Sequence, residues 1–201
     1  MIAIIDYGVG NLFSLSASLS HLDIPHKVTK NPEEIHQASH IILPGVGAFG
    51  DAAKLLFDSG MAEVVTEESK HKALLGICVG MQLLFEESFE FGRHKGLGLL
   101  EGSIQPIKES MTRPLKVPHM GWNKLNLKKD SAIFRNISTD SYVYFVHSYG
   151  AKTKEEYITA TSDYAMAVTA SVEKNNIYGT QFHPEKSGEV GLGILKAFYN
   201  I

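Results

Sequence analysis

The apolar positions of this chain change rhythm partway along. Ile2 to Ile5 is an unbroken β-branched-rich run, the pattern of a strand buried on both faces of a parallel sheet. Leu12, Leu15, Leu19 and Leu22 follow at helical spacing and predict a helix. The alternation repeats. His26 to Val28 predicts a strand, Pro32 to Ala38 a helix with proline near its first position, and His40 to Leu43 a strand. Asp51 to Ser59 and Met61 to Lys70 predict a helix broken at Gly60. Ala73 to Ile77 predicts the next strand, and Met81 to Glu86, all good helix formers, the next helix.

Beyond Glu86 the rhythm shortens. Ser88 to Gly102, rich in glycine and charge, is expected to be an exposed loop. Ile104 to Ile107, Lys116 to His119, Lys124 to Leu127, Tyr142 to Ser148, Tyr157 to Thr161, Met166 to Glu173 and Ile177 to Gln181 predict short strands with few helices between them. A last helix is expected over Gly188 to Tyr199, with Leu192, Leu195 and Phe198 or Tyr199 on one face. The fold class is therefore α/β: a mostly parallel central sheet flanked by helices, with an added antiparallel β lobe. No repeat, linker or low-complexity segment divides the chain, so a single domain over residues 1–201 is expected.

Composition narrows the function classes. With 44% hydrophobic and 20% charged residues, a net charge of −3, and arginine only at 93, 113 and 135, the chain offers no basic stripe for nucleic acid. Asp6 interrupts the N-terminal apolar run after five residues and no apolar run reaches membrane length, so neither a signal peptide nor a membrane span is expected, and the location is expected to be cytoplasmic. Gly8-Val9-Gly10 after the first strand suggests a phosphate cradle but lacks the third glycine and the acid of a dinucleotide fingerprint. No His/Asp/Glu cluster has metal spacing, and no cofactor is expected.

The one cysteine decides more. Cys78 stands between a strand and a helix with Gly76 and Gly80 two residues to either side, the spacing of a nucleophile elbow. Such a turn exposes the thiol at a helix N-terminus, whose free N–H groups favour the thiolate. A lone cysteine in an apolar run otherwise reads as an inert core residue; the placed glycines favour the nucleophile. A thiol nucleophile needs a base and the base an orienting group. His183 and Glu185 flank Pro184 at the end of the last strand, and at strand period both side chains project to one side. If that strand neighbours the elbow strand, Cys78, His183 and Glu185 assemble a Cys-His-Glu triad. Pro44-Gly45-Val46-Gly47 ends the third strand, where ligands bind in open α/β sheets; its glycines either free an N–H to point at a reacting carbonyl or simply let the loop turn. His119 and His147 end predicted strands and border a site or an interface, whereas His21, His26, His36, His40, His71 and His94 read as surface residues.

Gly76-Ile77-Cys78-Val79-Gly80-Met81-Gln82 together with His183-Pro184-Glu185 resembles the class I (triad) glutamine amidotransferases, over the full length of the chain. The resemblance implies a flavodoxin-like core and hydrolysis of L-glutamine to glutamate and ammonia through a Cys78 thioester. His183 would carry protons and Glu185 hold its tautomer. It implies an oxyanion hole from Val79 N–H and the Gly45-Val46 peptide, and glutamine binding by Gln82, Glu90, Ser148 and Tyr149. Asp6 to Asn11, Pro118 to Asn123, Tyr144 to Tyr149 and Thr180 to Ser187 are most similar to members that serve histidine biosynthesis. These pass ammonia to a (β/α)₈-barrel cyclase, which would meet Asn11, Met120, Trp122, Asn123, Tyr144 and Lys186. Val46 departs from relatives that carry a second consecutive glycine there. Two other readings stand beside this one: a glutaminase serving a different synthase (anthranilate, guanylate, pyridoxal phosphate or purine), and an idle α/β module that only docks a partner.

Overall fold

The computed structural model describes residues 1–201. The chain opens β1 (Ile2–Ile5), α1 (Leu12–His21), β2 (His26–Thr29), α2 (Pro32–Gln37), β3 (His40–Leu43), α3 (Phe49–Asp58), α4 (Met61–Glu68), β4 (Ala73–Ile77) and α5 (Val79–Leu83). It continues β5 (Phe85–Ser88), β6 (His94–Lys95), β7 (Leu100–Pro106), β8 (His119–Lys124), β9 (Asn126–Leu127), β10 (Tyr142–His147), β11 (Tyr149–Thr153), β12 (Ile158–Asp163), β13 (Ala167–Lys174), β14 (Ile177–Thr180) and α6 (Gly188–Tyr199).

One eight-stranded sheet runs β2-β1-β3-β4-β14-β13-β12-β9. Its first five strands are parallel, in the flavodoxin order, which places ligands outside the carboxyl ends of the strands. Ile2, Ile4 and Ile5 are wholly buried, each worth about 1.5–3 kcal/mol against exposure. Helices α1 and α6 cover the sheet through Leu15, Leu19, Ile194, Leu195 and Phe198, all buried; Leu192 is only half-buried. The antiparallel strands are present, but β13, β12 and β9 extend the central sheet itself. A two-stranded ribbon (β8 with β10) and a four-stranded sheet (β11-β7-β5-β6) make up the rest.

Three expectations need correction. The helix expected through Glu86 stops at Leu83, because Phe85–Ser88 pairs with β7, and Phe85 is buried there. Ser88 to Gly102 is no exposed loop: Leu97 N–H donates to Leu83 C=O at 2.8 Å and Leu100 N–H to Leu84 C=O at 3.0 Å. Those carbonyls lie at the end of α5, so the segment folds back on the helix and buries Leu100 and Ser88. The strand expected over Lys116 to His119 begins only at His119. Among the histidines read as surface, His26, His40 and His94 are half-buried; His26 bonds Ser16 Oγ and the Ile24 carbonyl, and His40 packs on Phe198 and Tyr199.

Candidate active site

Cys78 follows β4 directly and caps α5 with φ 55° and ψ −113°, a left-handed backbone that an ordinary residue adopts only under strain. Two contacts hold it there. Its N–H donates to the Thr180 carbonyl at 2.8 Å, carrying the β4–β14 ladder one residue past the strand. Gly80 packs so closely on the end of β3 that a methyl group built on it would lie 1.9 Å from the Leu43 carbonyl oxygen. A methyl on Gly76 would meet Gly80 O at 2.7 Å, and one on Gly45 would meet Gly80 N at 2.5 Å. The glycines are thus demanded by backbone approaching backbone.

β14 lies beside β4, with Thr180 opposite Ile77, and brings the base to the thiol. His183 and Glu185 do not owe their pairing to strand period, as expected from the sequence, because β14 ends at Thr180 and Pro184–Lys186 forms a 3₁₀ turn. The turn curls the carboxylate back: His183 Nδ1 and Glu185 Oε1 are 2.8 Å apart, with both side chains 2% exposed. His183 N–H donates to the Tyr144 carbonyl at 2.9 Å, and Ser187 Oγ donates to the His183 carbonyl at 2.6 Å. Asn11 Nδ2 reaches Glu185 Oε1 at 3.4 Å; Glu185 Oε2 is buried without a donor.

Burial alone would lower the His183 pKa, but hydrogen bonds to Cys78 and Glu185 and their negative charge overcome it and raise the imidazole to about 10. His183 is therefore cationic at neutral pH beside the thiol. With Nδ1 committed to the carboxylate, the other ring nitrogen is left for Cys78.

A cavity of about 350 Å³ opens on the thiol, lined by Val46, Gly47, Val79, Gln82, Glu90, Ser148, Tyr149 and His183 among others. That is room for one small molecule. All four residues expected to hold glutamine meet here. Glu90 Oε2 accepts the Phe49 N–H at 2.6 Å, tying the carboxylate to the start of α3. Gln82 Nε2 donates to the Tyr149 carbonyl at 3.1 Å and to Gln181 Oε1 at 3.0 Å, so both its N–H bonds stay within the protein. Val46 stands at the mouth, exposed, and is not among the residues with positive φ, whereas Gly47 has φ 88°.

Of the residues expected to meet a partner, Met120 and Trp122 are 60% and 62% exposed on β8. Trp122 meets Tyr144 edge to face at 4.9 Å, and Lys186 Nζ lies 5.7 Å over the Tyr144 ring. Asn123 projects to the other face of β8, where its Nδ2 donates to the Asp163 carbonyl at 2.7 Å.

Gln181 and Tyr7 carried no individual signal of a role in the sequence, and His119 and His147 were expected only to border a site or an interface. Gln181 Nε2 is 3.8 Å from Cys78 Sγ. His119 and His147 face each other across the ribbon, Nδ1 to Nε2 at 3.0 Å, a pairing created by strand register alone. Burial pushes His119 down to about 4 and His147 to about 3. Tyr7 Oη donates to the Pro44 carbonyl at 2.7 Å under the Gly45-Val46 loop, and burial together with the charge of Cys78 raises its pKa, keeping the donor protonated.

A flavodoxin-order sheet carries a strained cysteine at the end of β4 and a His-Glu pair after β14, and the model of the class-I glutamine amidotransferase family matches residues 3–200. The chain belongs to that family and, within it, to the HisH subunits of imidazole glycerol phosphate synthase. It is 46% identical to that subunit of Bacillus licheniformis over 98% of this chain and 95% of the relative. It is 47% identical to that of Wolinella succinogenes over 100% of both, and 50% identical to that of Oceanobacillus iheyensis over 98% of both. Among solved structures, a glutamine amidotransferase at 18% identity superposes with a TM-score of 0.75 over 100% of both chains. The structure of PurLQS from Thermotoga maritima, also at 18% identity, gives 0.72 over 99% of this chain and 97% of that one.

Proposed function

We propose that this chain hydrolyses L-glutamine and delivers the ammonia to the cyclase subunit of imidazole glycerol phosphate synthase, a (β/α)₈ barrel, in histidine biosynthesis. Cys78 Sγ attacks the side-chain amide carbon of glutamine. Val79 N–H and the Gly45-Val46 peptide stabilise the oxyanion. His183 gives its proton to the departing nitrogen, so the C–N bond breaks and a thioester remains. Neutral His183 then takes a proton from water as water attacks the thioester, so the C–S bond breaks, glutamate is released, and the Cys78 thiolate and cationic His183 are restored. Glu185 holds the ring throughout. Gln82, Glu90, Ser148 and Tyr149 grip the amino-acid end, the Glu90 carboxylate suiting an ammonium.

The observation that carries this reading is the 2.8 Å His183–Glu185 pair beside a strained Cys78 at the floor of the cavity. Ammonia freed into neutral water is almost wholly protonated and inert as a nucleophile, so a sealed path into the barrel has a physical purpose. Met120, Trp122, Tyr144 and Lys186 form an exposed aromatic and cationic patch beside the triad, suited to that docking, with Asn11 and Asn123 at its edges. No helix is long and apolar enough to cross a membrane, and we take the chain to act in the cytoplasm as one domain over residues 1–201.

Mixing the chain with its cyclase and the ribotide substrate and measuring glutamate release tests the reading. A glutamine-analogue electrophile is expected to label Cys78 and to abolish that release. Selective labelling that leaves turnover intact would overturn it.

A further inference from the structure

Two series of hydrogen bonds converge on the Tyr149 carbonyl, one from the exposed ribbon and one from beside the thiol. The Asp163 carbonyl can only accept, so Asn123 turns Nδ2 toward it at 2.7 Å, and the same nitrogen faces His119 Nε2 at 3.4 Å. That ring nitrogen is therefore the bare one, and His119 Nδ1 carries the proton to His147 Nε2 at 3.0 Å. His147 Nδ1 in turn donates to the Tyr149 carbonyl at 2.8 Å. This carbonyl also accepts Gln82 Nε2 at 3.1 Å, which fixes the Gln82 amide and points its second N–H at Gln181 Oε1, 3.0 Å away. With its oxygen so engaged, Gln181 has only its Nε2 to present to Cys78 Sγ, at 3.8 Å. Gln181 is wholly buried, and water does not compete for the amide.

We propose that Gln181 is a further catalytic residue, donating an amide N–H to the Cys78 sulfur in an orientation set by the Tyr149 carbonyl through Gln82; this rests on Cys78 being the nucleophile. A hydrogen bond to the charged form of a group favours that form, so an N–H aimed at Sγ supports attack by the sulfur. Gln82 thereby acts at two levels: its amide nitrogen sets this orientation while its remaining oxygen is free toward the cavity.

The sole cysteine makes the test direct, because iodoacetamide alkylation read by mass reports Cys78 alone. In the full chain, Gln181→Met removes the donor at nearly constant length. The pH midpoint of alkylation is expected to rise by about one unit. With cyclase and ribotide present, kcat near neutral pH is expected to fall while KM for glutamine stays within about twofold. Gln82→Met, which leaves Gln181 in place but free to turn its oxygen to the sulfur, is expected to move the alkylation midpoint in the same direction by less. It decides the matter should Gln181→Met not fold. An unchanged midpoint in whichever variant folds overturns the proposal. Cys78→Ala separates the two ideas: if it retains turnover the nucleophile assignment fails, and if it is inactive while Gln181→Met titrates like the parent, only the role of Gln181 fails.

Discussion

Replacing His147 with glutamine is expected to make the protein less sensitive to acid while making it less stable at neutral pH. In the folded chain burial, aided by His119 and His183 nearby, outweighs the hydrogen bond to the Tyr149 carbonyl and pushes the His147 imidazole down to about 3 from an ordinary 6.5. Between those values the unfolded chain holds a proton on this ring that the folded chain does not, so stability falls as pH falls. The slope is about 1.4 kcal/mol per pH unit below 6.5, which amounts to about 2 kcal/mol between pH 7 and pH 5. His119, pushed down to about 4 by burial, acts in the same direction but less, its shift from 6.5 being the smaller. His183 has the opposite sign: with its pKa raised to about 10, its contribution is complete below 6.5 and is lost only as pH rises through 10, so it adds nothing to acid loss. Urea unfolding of parent and His147→Gln at both pH values reads this contribution together with the smaller change it makes in His119 and His183, the imidazoles coupled to it. The parent is expected to lose about 2 kcal/mol more than the variant on going from pH 7 to pH 5, a difference of roughly 1 M in urea midpoint. Equal losses would show that the buried imidazole is already protonated at pH 5, and the neutral donor chain would be wrong.

Cys78→Ala is expected to keep the fold, by circular dichroism and unfolding midpoint, while glutamate release with cyclase present drops by about 10⁴-fold or more, as when a covalent catalyst loses its nucleophile. Val46→Gly addresses the oxyanion loop. Turning the Gly45-Val46 peptide toward the thiol takes φ of residue 46 into the region where a β-branched side chain costs about 1–3 kcal/mol. The glycine variant is therefore expected to raise the basal glutaminase rate of the isolated chain about tenfold, a rate that steady-state assay without cyclase reads directly. Trp122→Ala is expected to weaken cyclase binding about 10- to 100-fold by calorimetry, with Cys78 alkylation in the free chain unchanged. Gly80→Ala, which would drive a methyl onto the Leu43 carbonyl, is expected to unfold the elbow or displace β3, seen as a loss of several kcal/mol in urea unfolding.

The parallel half of the fold was legible from the sequence because short apolar runs such as Ile2–Ile5 and Ala73–Ile77 alternate with helical spacing such as that of Leu12, Leu15 and Leu19, patterns set by local geometry. The elbow was legible for the same reason: a nucleophile between two glycines describes a turn that its own residues make. Phe85–Ser88 and the first half of Leu100–Pro106 were not, since charged and glycine-rich residues give no period and only pairing with each other, and with carbonyls at the end of α5, makes them strands. His183 and Glu185 were rightly paired for a reason the structure replaces, a 3₁₀ turn in place of strand alternation. Above all, the neighbourhood of the thiol could not be read along the chain. His119 and His147 are 28 residues apart, and Gln82 and Gln181 are 99 apart. Cross-strand register brings the first pair together and the adjacency of β4 and β14 the second. Local sequence determines which residue turns, buries or caps, because those choices depend on neighbours a few bonds away. Which polar atoms end up in a closed circuit around the nucleophile depends on how sheets are registered against one another, and only the tertiary structure decided that.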